Sequence, residues 1–479
     1  MGKKIAFAAA VIVVSCVPLL WPGDAPFISD EPKQLLLAYD LNQIHALADA
    51  SMRGSVGLPY GPLSTWAYQL ILAITATPSL WVLIQALIIV VGIAAGLLLI
   101  ARATGLWKWF VPMAFGSPYI WFDSRHLVVV AFLLPFSALA VGAYAGYLSS
   151  RSSKALLCAF GIALLLPLIH LMALPLSAAM LLHMALFARR QTWQVLASGA
   201  VIAGVVVVLH LGYFSLFLSG LGSAHPHAVQ EGADYWKGLL FPLLGGRSLS
   251  GWGLEYYFGT DWLPRHPAFL LLKSISGLAY LFVFAGMYFA GRMIWENRRQ
   301  LLFSKHGAKK PVSVDTKTHI SLIALAALPP YMALCGLLRL FSNPNYYNGV
   351  WIVYVLLAWI SIDRITTRRW AAASVAVYGV SCVALVVALA VLVHERGGTR
   401  GISYGPTIGN QMEIVRDIGS EDRDDIYCTV ENFMHFPSLV ALRTISLNGE
   451  PGRKQGPLVI EFASDDLKSG FVRTRSVAK

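Results

Sequence analysis

Two adjacent carboxylates, Asp30 and Glu31, lie in the stretch Phe27-Ile28-Ser29-Asp30-Glu31-Pro32, directly after the first apolar run of the chain. Ionisable groups at a bilayer interface are costly unless they have a partner or a task. Two carboxyl groups this close raise the pKa of at least one of them, which suits a general base near neutral pH. The same spacing fits a helix start, with Ser29 or Asp30 as N-cap and Pro32 in the first turn. The two roles are compatible.

Other residue types that could do chemistry are scattered. Tyr60 lies in a Gly- and Pro-rich turn cluster, Gly54 to Pro62. Asp123 and Arg125 flank Ser124, and a guanidinium matches phosphate oxygens in a bidentate fork. Arg339 opens a polar stretch running to Tyr347; it is either a second phosphate ligand or an interfacial anchor that snorkels to the headgroups. Tyr346, Tyr347 and Trp351 read as an aromatic belt. His225 and His227 flank Pro226 with no companion carboxylate at helical spacing, which favours contacts to an acceptor or simple exposure over a metal site. His170, His183 and His210 sit in apolar runs, where hydrogen bonds between helices are their ordinary use. The cysteines, five in all, show no CxxC spacing or pairable set, so neither a disulfide nor a zinc site is expected. There is no Walker loop, HExxH or GxSxG, which leaves nucleotide hydrolysis and metalloprotease chemistry without support.

The elements that must position these residues are membrane helices. Of the 479 residues, 57% are hydrophobic and 13% charged, and mean hydropathy is +0.62. Apolar runs of roughly 20 residues separate short basic segments, the pattern of a polytopic helical membrane protein. The net charge of +12 falls in inter-helix loops, where the positive-inside rule accounts for it, so no nucleic-acid partner is implied. Lys3 and Lys4 place the N-terminus in the cytoplasm, ahead of a retained first helix. Pro32 to Met52 reads as an amphipathic helix on the membrane surface, with Leu37, Leu41, Ile44, Ala48 and Met52 at helical spacing. Trp66 to Thr77 and Trp107 to Phe122 are short apolar segments, and loop charges favour one crossing plus one partly inserted helix around residues 66–101. Counting from the basic loops gives about 11 crossings, with 12 or 13 possible, in a membrane domain 1–393 whose outer loops are about 22–62, 220–267 and 339–348. The loop from Gly220 to Pro267 is dense in aromatics, which points to function rather than disorder. Residues 394–479 read as a small extramembrane α/β domain, with helices at Gln411 to Ile418 and Phe433 to Leu442 and strands at Ile426 to Val430, Leu458 to Phe462 and Phe471 to Val477.

The order of parts resembles the GT-C glycosyltransferases, specifically the bacterial relatives of protein O-mannosyltransferases and of the lipid A aminoarabinose transferase. The residues that carry the resemblance are Asp30-Glu31 after the first helix, Tyr60-Gly61-Pro62-Leu63 after an interfacial helix, then Ser117-Pro118 and Ser124-Arg125. It covers mainly residues 1–150, extends loosely to Val393, and leaves the tail out. It implies a polyprenyl-phosphate-linked sugar donor held in the bilayer and an acceptor glycan, lipid or protein on the periplasmic face. It would make Asp30 the base with Glu31 beside it, put Tyr60 in the donor pocket, and set Arg125 against the phosphate. It implies no cofactor, although members differ in their need for a divalent metal. Members commonly carry another acid a few residues after Ser-Arg; here that stretch is His126-Leu127-Val128-Val129-Val130, and Asp123 is the available substitute. Two rivals remain at this level: a transporter or flippase for a lipid-linked substrate, and a non-catalytic envelope protein of the same fold.

Overall fold

A computed structural model of the chain describes residues 2–28, 30–54, 57–187, 192–221, 235–258, 266–303, 315–340, 343–367, 369–399, 404–418, 426–428, 436–446, 458–462 and 471–475. The described residues form a polytopic helical membrane protein. Helix α1 (Gly2–Cys16) leads into the loop bearing the paired acids, and α2 (Asp30–Gln43) starts on them. Next come α3 (Leu63–Ile74), α4 (Pro78–Thr104), α5 (Phe110–Phe115), α6 (Pro118–Arg125), α7 (Leu133–Ser150), α8 (Ser153–Ile169) and α9 (Leu174–Phe187). Helices α10 (Thr192–Leu209) and α11 (Leu211–Leu221) are followed by the short α12 (Tyr235–Leu240) and α13 (Glu255–Phe258). Then follow α14 (Pro267–Ser276), α15 (Leu278–Glu296), α16 (Arg298–Phe303), α17 (Thr316–Leu337), α18 (Trp351–Ile365) and α19 (Arg369–Arg396). The tail holds α20 (Ile408–Ile418) and α21 (Phe436–Ser446), with strands β1 (Ile426–Cys428), β2 (Leu458–Phe462) and β3 (Phe471–Arg475). Strand β2 is central, parallel to β1 and antiparallel to β3.

Five helices among the described residues are long and apolar enough to cross a membrane: Pro78–Thr104, Val129–Ser150, Pro267–Glu296, Thr316–Leu337 and Arg369–Arg396. A sixth is made by Ala197–Leu209 and Leu211–Gly220 if that pair, bent by 69°, is one span. The expected 11–13 crossings therefore have to include shorter apolar helices such as α8 and α9. Helix α3 has 12 residues and rises about 18 Å, too short for a hydrocarbon core of about 30 Å. It has the proportions of the partly inserted helix, with Leu70 and Ile74 exposed on its outer side.

Helices α4 and α7 pack over a long shared face. Gly92 and Gly96 on α4, four residues apart, meet Pro135, Ala138 and Gly142 on α7. A Cβ built on Gly96 would lie 2.4 Å from the Ala138 carbonyl carbon, so the two backbones touch where a side chain would hold them apart. Helix α18 lies deep in the protein: every residue from Trp351 to Ile362 is buried, as expected of a helix that is apolar nearly all round.

Four expectations are corrected. The helix at Pro32 to Met52 ends at Gln43, because His45 takes a left-handed conformation with φ of 54°. Its buried face includes Glu31 and Gln34, and it packs on α3 and α21 rather than presenting an apolar stripe to lipid. Trp107 to Phe122 is two short buried helices rather than one segment, since Ser117 is extended before Pro118. The described part of the 220–267 loop is a string of short helical turns with Phe241, Leu249, Leu254, Tyr257 and Phe258 buried in the protein. Tyr347 and Trp351 are fully buried and so do not form an aromatic belt.

Candidate active site

Helix α2 delivers the two acids differently. The Asp30 side chain is half-exposed, with Lys33 Nζ 3.7 Å from its carboxylate. Glu31, one position on, is only 2% exposed. Its Oε1 is paired with His126 Nε2, and its Oε2 has no hydrogen-bond partner among the described residues. His126 is placed by the end of α6, whose last carbonyls are tied to α4: Gln85 Nε2 donates to the His126 carbonyl at 2.8 Å and the Ser124 carbonyl at 3.2 Å. Thus His126, where the resemblance led us to look for an acid, is the partner of Glu31.

The electrostatics follow from this arrangement. The covered half of its surroundings, then the neighbouring Glu31 charge, pushes the Asp30 carboxyl up from the ordinary aspartate value. Burial works against a charged His126, but Glu31, Asp123 and Asp30 outweigh it and hold the imidazole above its usual value. Asp123 is wholly buried, and burial pushes it up to about 7 against the opposing effects of His126, Asn348 and Tyr119. Asn348 Nδ2 donates to Asp123 Oδ1 at 3.3 Å, and the Tyr119 hydroxyl lies 2.6 Å from Asn348 Oδ1 and 2.7 Å from the Pro344 carbonyl oxygen, with one proton to donate to either.

Asp30 opens onto a cleft of about 150 Å³ lined also by Gln34, Tyr60, His170, Asn343, Asn345 and Tyr346. Tyr60 reaches it because Gly61 presses on the end of α8. A Cβ there would fall 1.7 Å from the Leu168 carbonyl oxygen. That contact lays the Tyr60 ring against His170, with centroids 4.3 Å apart. Gln34 is locked by Ser51, which donates to its Oε1 at 2.5 Å, and by Thr65, which accepts from its Nε2 at 2.8 Å. From the 220–267 segment, Tyr257 donates its hydroxyl to Asn345 and stacks on Phe122, with centroids 4.0 Å apart.

The structure therefore brings Asp30 and Tyr60 together in one cleft and sets Glu31 just behind it. It does not bring the other sequence candidates there. Asp123 faces Asn348. Arg125 is 2% exposed; its guanidinium donates to the Trp21 carbonyl and lies over the Trp121 ring. Arg339 is exposed just past α17, with φ of 52°, although the segment after it supplies Asn343, Asn345 and Tyr346. His225 and His227 lie outside the described residues. His170, Asn343 and Asn345 were not singled out as site residues from sequence. An asparagine pair two apart beside Pro344 is a faint signal, and His170 resembles any interior histidine until the fold puts Tyr60 on it.

The loop carrying the acids is held from behind by the start of the tail. Ile408 N–H donates to the Ala25 carbonyl at 2.9 Å and Gln411 Nε2 to the Phe27 carbonyl at 3.0 Å. Tyr404 donates to the Asp24 carbonyl at 2.5 Å, and His394 pairs with Asp24 at 2.8 Å while stacking on Trp21.

No protein-family model matches the chain, and no curated protein matches it in sequence. Two solved structures are similar to it. ArnT from Cupriavidus metallidurans bound to undecaprenyl phosphate superposes with a TM-score of 0.50 at 14% identity, covering 95% of this chain and 90% of that one. The apo state of the same protein gives a TM-score of 0.46 at 16% identity, covering 97% and 87%. At this identity the likeness is one of fold: this chain is built on the membrane fold seen in ArnT bound to undecaprenyl phosphate.

Proposed function

We propose that this protein is a GT-C-type glycosyltransferase of the bacterial inner membrane. It moves a sugar from a polyprenyl-phosphate carrier to a lipid, glycan or protein acceptor on the periplasmic face. The N-terminus is then cytoplasmic and the tail periplasmic. The observation that carries the proposal is the half-exposed Asp30 carboxyl opening onto a cleft while Glu31 beside it is compensated by His126. ArnT, a lipid A aminoarabinose transferase of GT-C type, supports the same class through the shared fold.

The chemistry suits this arrangement. Asp30 takes the proton from an acceptor hydroxyl, whose oxygen forms the new bond to the anomeric carbon. The bond from that carbon to the phosphate oxygen breaks, and its electron pair leaves with the polyprenyl phosphate. A base with a raised pKa accepts this proton more readily than an ordinary aspartate. Arg339, exposed four residues before Asn343 and not among the residues lining the cleft, is the proposed cation for the departing phosphate, which it would meet outside the cleft. Arg125 supports the site by holding the Trp21 carbonyl.

The test is a labelled undecaprenyl-phosphate sugar supplied to the purified protein in lipid nanodiscs and in vesicles. Release of undecaprenyl phosphate supports transfer; movement across the vesicle membrane without bond cleavage means transport; neither means a non-catalytic protein. Asp30→Asn should lower turnover by roughly 10²–10⁴-fold, the range for a lost general base, with an unchanged melting temperature. Full turnover in that variant removes Asp30 from the mechanism.

A further inference from the structure

The cleft beside Asp30 has a polarity of its own. None of the described residues lining it is a lysine or arginine. Nearby charges are already engaged: Lys33 with Asp30, Glu31 with His126, Asp123 with Asn348, and Arg125 with the Trp21 carbonyl. The hydrogen-bonding sense of the neutral groups is set as well. His170 Nδ1 accepts the Met172 N–H at 3.2 Å, so the neutral ring carries its proton on Nε2. Burial holds that imidazole down, at about 3, and so uncharged. Asn345 Oδ1 accepts from Tyr257, and Asn343 Oδ1 accepts the Asn345 N–H at 2.9 Å. Among the described residues, this leaves the NH₂ group of each amide as its remaining polar arm. The cleft thus offers uncharged donors from His170, Asn343 and Asn345, one carboxylate at Asp30, and the rings of Tyr60 and Tyr346.

A phosphate draws cations or charge-assisted donors. An ammonium group entering here would have to share the Asp30 carboxylate with Lys33, whose Nζ already lies 3.7 Å from it, and would lower the pKa of the base. Uncharged donors beside aromatic rings instead match the hydroxyl oxygens and apolar faces of a sugar ring. We infer that this cleft binds an uncharged, hydroxyl-bearing sugar, with His170, Asn343 and Asn345 donating to its hydroxyls and Tyr60 and Tyr346 against its faces, and that it disfavours a cationic amino sugar. The inference rests on the proposed function and names the sugar class that site takes.

The experiment is a binding titration with the full-length protein in nanodiscs. The probes are undecaprenyl phosphate alone, the same carrier bearing glucose, galactose or mannose, and the carrier bearing aminoarabinose. At least one neutral sugar should tighten binding about tenfold over the bare carrier, the worth of one or two net hydrogen bonds, and aminoarabinose should not. Asn345→Ala and His170→Gln should erase that gain and leave the affinity for the bare carrier unchanged. If His170→Gln does not fold, Asn343→Ala takes its place. Tighter binding of the aminoarabinose carrier, no gain from any neutral sugar, or a gain that survives the substitutions overturns the inference while leaving the proposed function standing. Failure of the bare carrier to bind overturns both.

Discussion

Consecutive side chains on a helix point about 100° apart, and at the start of α2 that angle sends two acids into different surroundings. Glu31 goes inward to His126, and Asp30 stays at the mouth of the cleft. Removing one partner of a buried charge pair costs about 3–5 kcal/mol because the other is left uncompensated. Glu31→Gln and His126→Gln should therefore each lower the melting temperature strongly, and the double variant should recover part of the loss; additive losses would show the pair is not coupled. Asp123 adds a pH dependence. Its folded pKa of about 7 lies above the ordinary value of 3.8. Between those values the folded protein binds a proton that the unfolded chain has released, so the contribution of Asp123 to stability falls as pH rises toward 7 and is level above it. Asp123→Asn should flatten the decline in melting temperature over that window. An unchanged slope would mean that Asp123 is ionised in the fold at low pH.

At the scale of elements, the site depends on close backbone contacts and on one clamp. Gly96→Leu should destabilise the α4–α7 packing by about 1–3 kcal/mol through overpacking. Gly146→Leu on the same α7, where a Cβ would meet nothing within 4 Å, is the control for helix substitution alone. Equal melting temperatures for the two would refute the packing argument. The clamp from the tail reaches the acid-bearing loop through Gln411, which donates to the Phe27 and Pro406 carbonyls. Losing hydrogen bonds worth about 1 kcal/mol should raise amide exchange in residues 24–34 about fivefold in Gln411→Ala. Exchange at the wild-type rate would show that the tail does not hold this loop.

For the molecule as a whole, the prediction concerns sides of the membrane. Helix α7 runs from the cleft, near Val129 and Val130, to Ser150, and its 18 residues rise about 27 Å. Lys33 and Lys154 are both exposed and lie beyond its opposite ends. In a cysteine-free background, Lys33→Cys should react with an impermeant thiol reagent added outside the inner membrane, and Lys154→Cys only after the membrane is opened. Labelling of both from one side would remove either the assigned orientation or the crossing by α7.

Hydropathy and charge pattern were enough for a polytopic helical membrane protein, because a bilayer demands apolar runs of fixed length and leaves loop charges on one side. The acid pair at Asp30 and Glu31 was likewise visible, since its adjacency to the first apolar run is a property of the linear chain. Gly92 and Gly96 also stood in plain view, but their use became clear only against α7. Division of labour between the two acids was not legible, because it turns on which side of α2 meets His126, 95 residues along the chain. His126 read only as a missing acid for the same reason: its partner is reached through space. Arg125 carried the right charge for a phosphate, yet tertiary packing turned it onto a backbone carbonyl. His170, Asn343 and Asn345 became site residues only when the ends of separate helices met. Local sequence specifies what a segment is; which segments share a cleft depends on packing between distant ones.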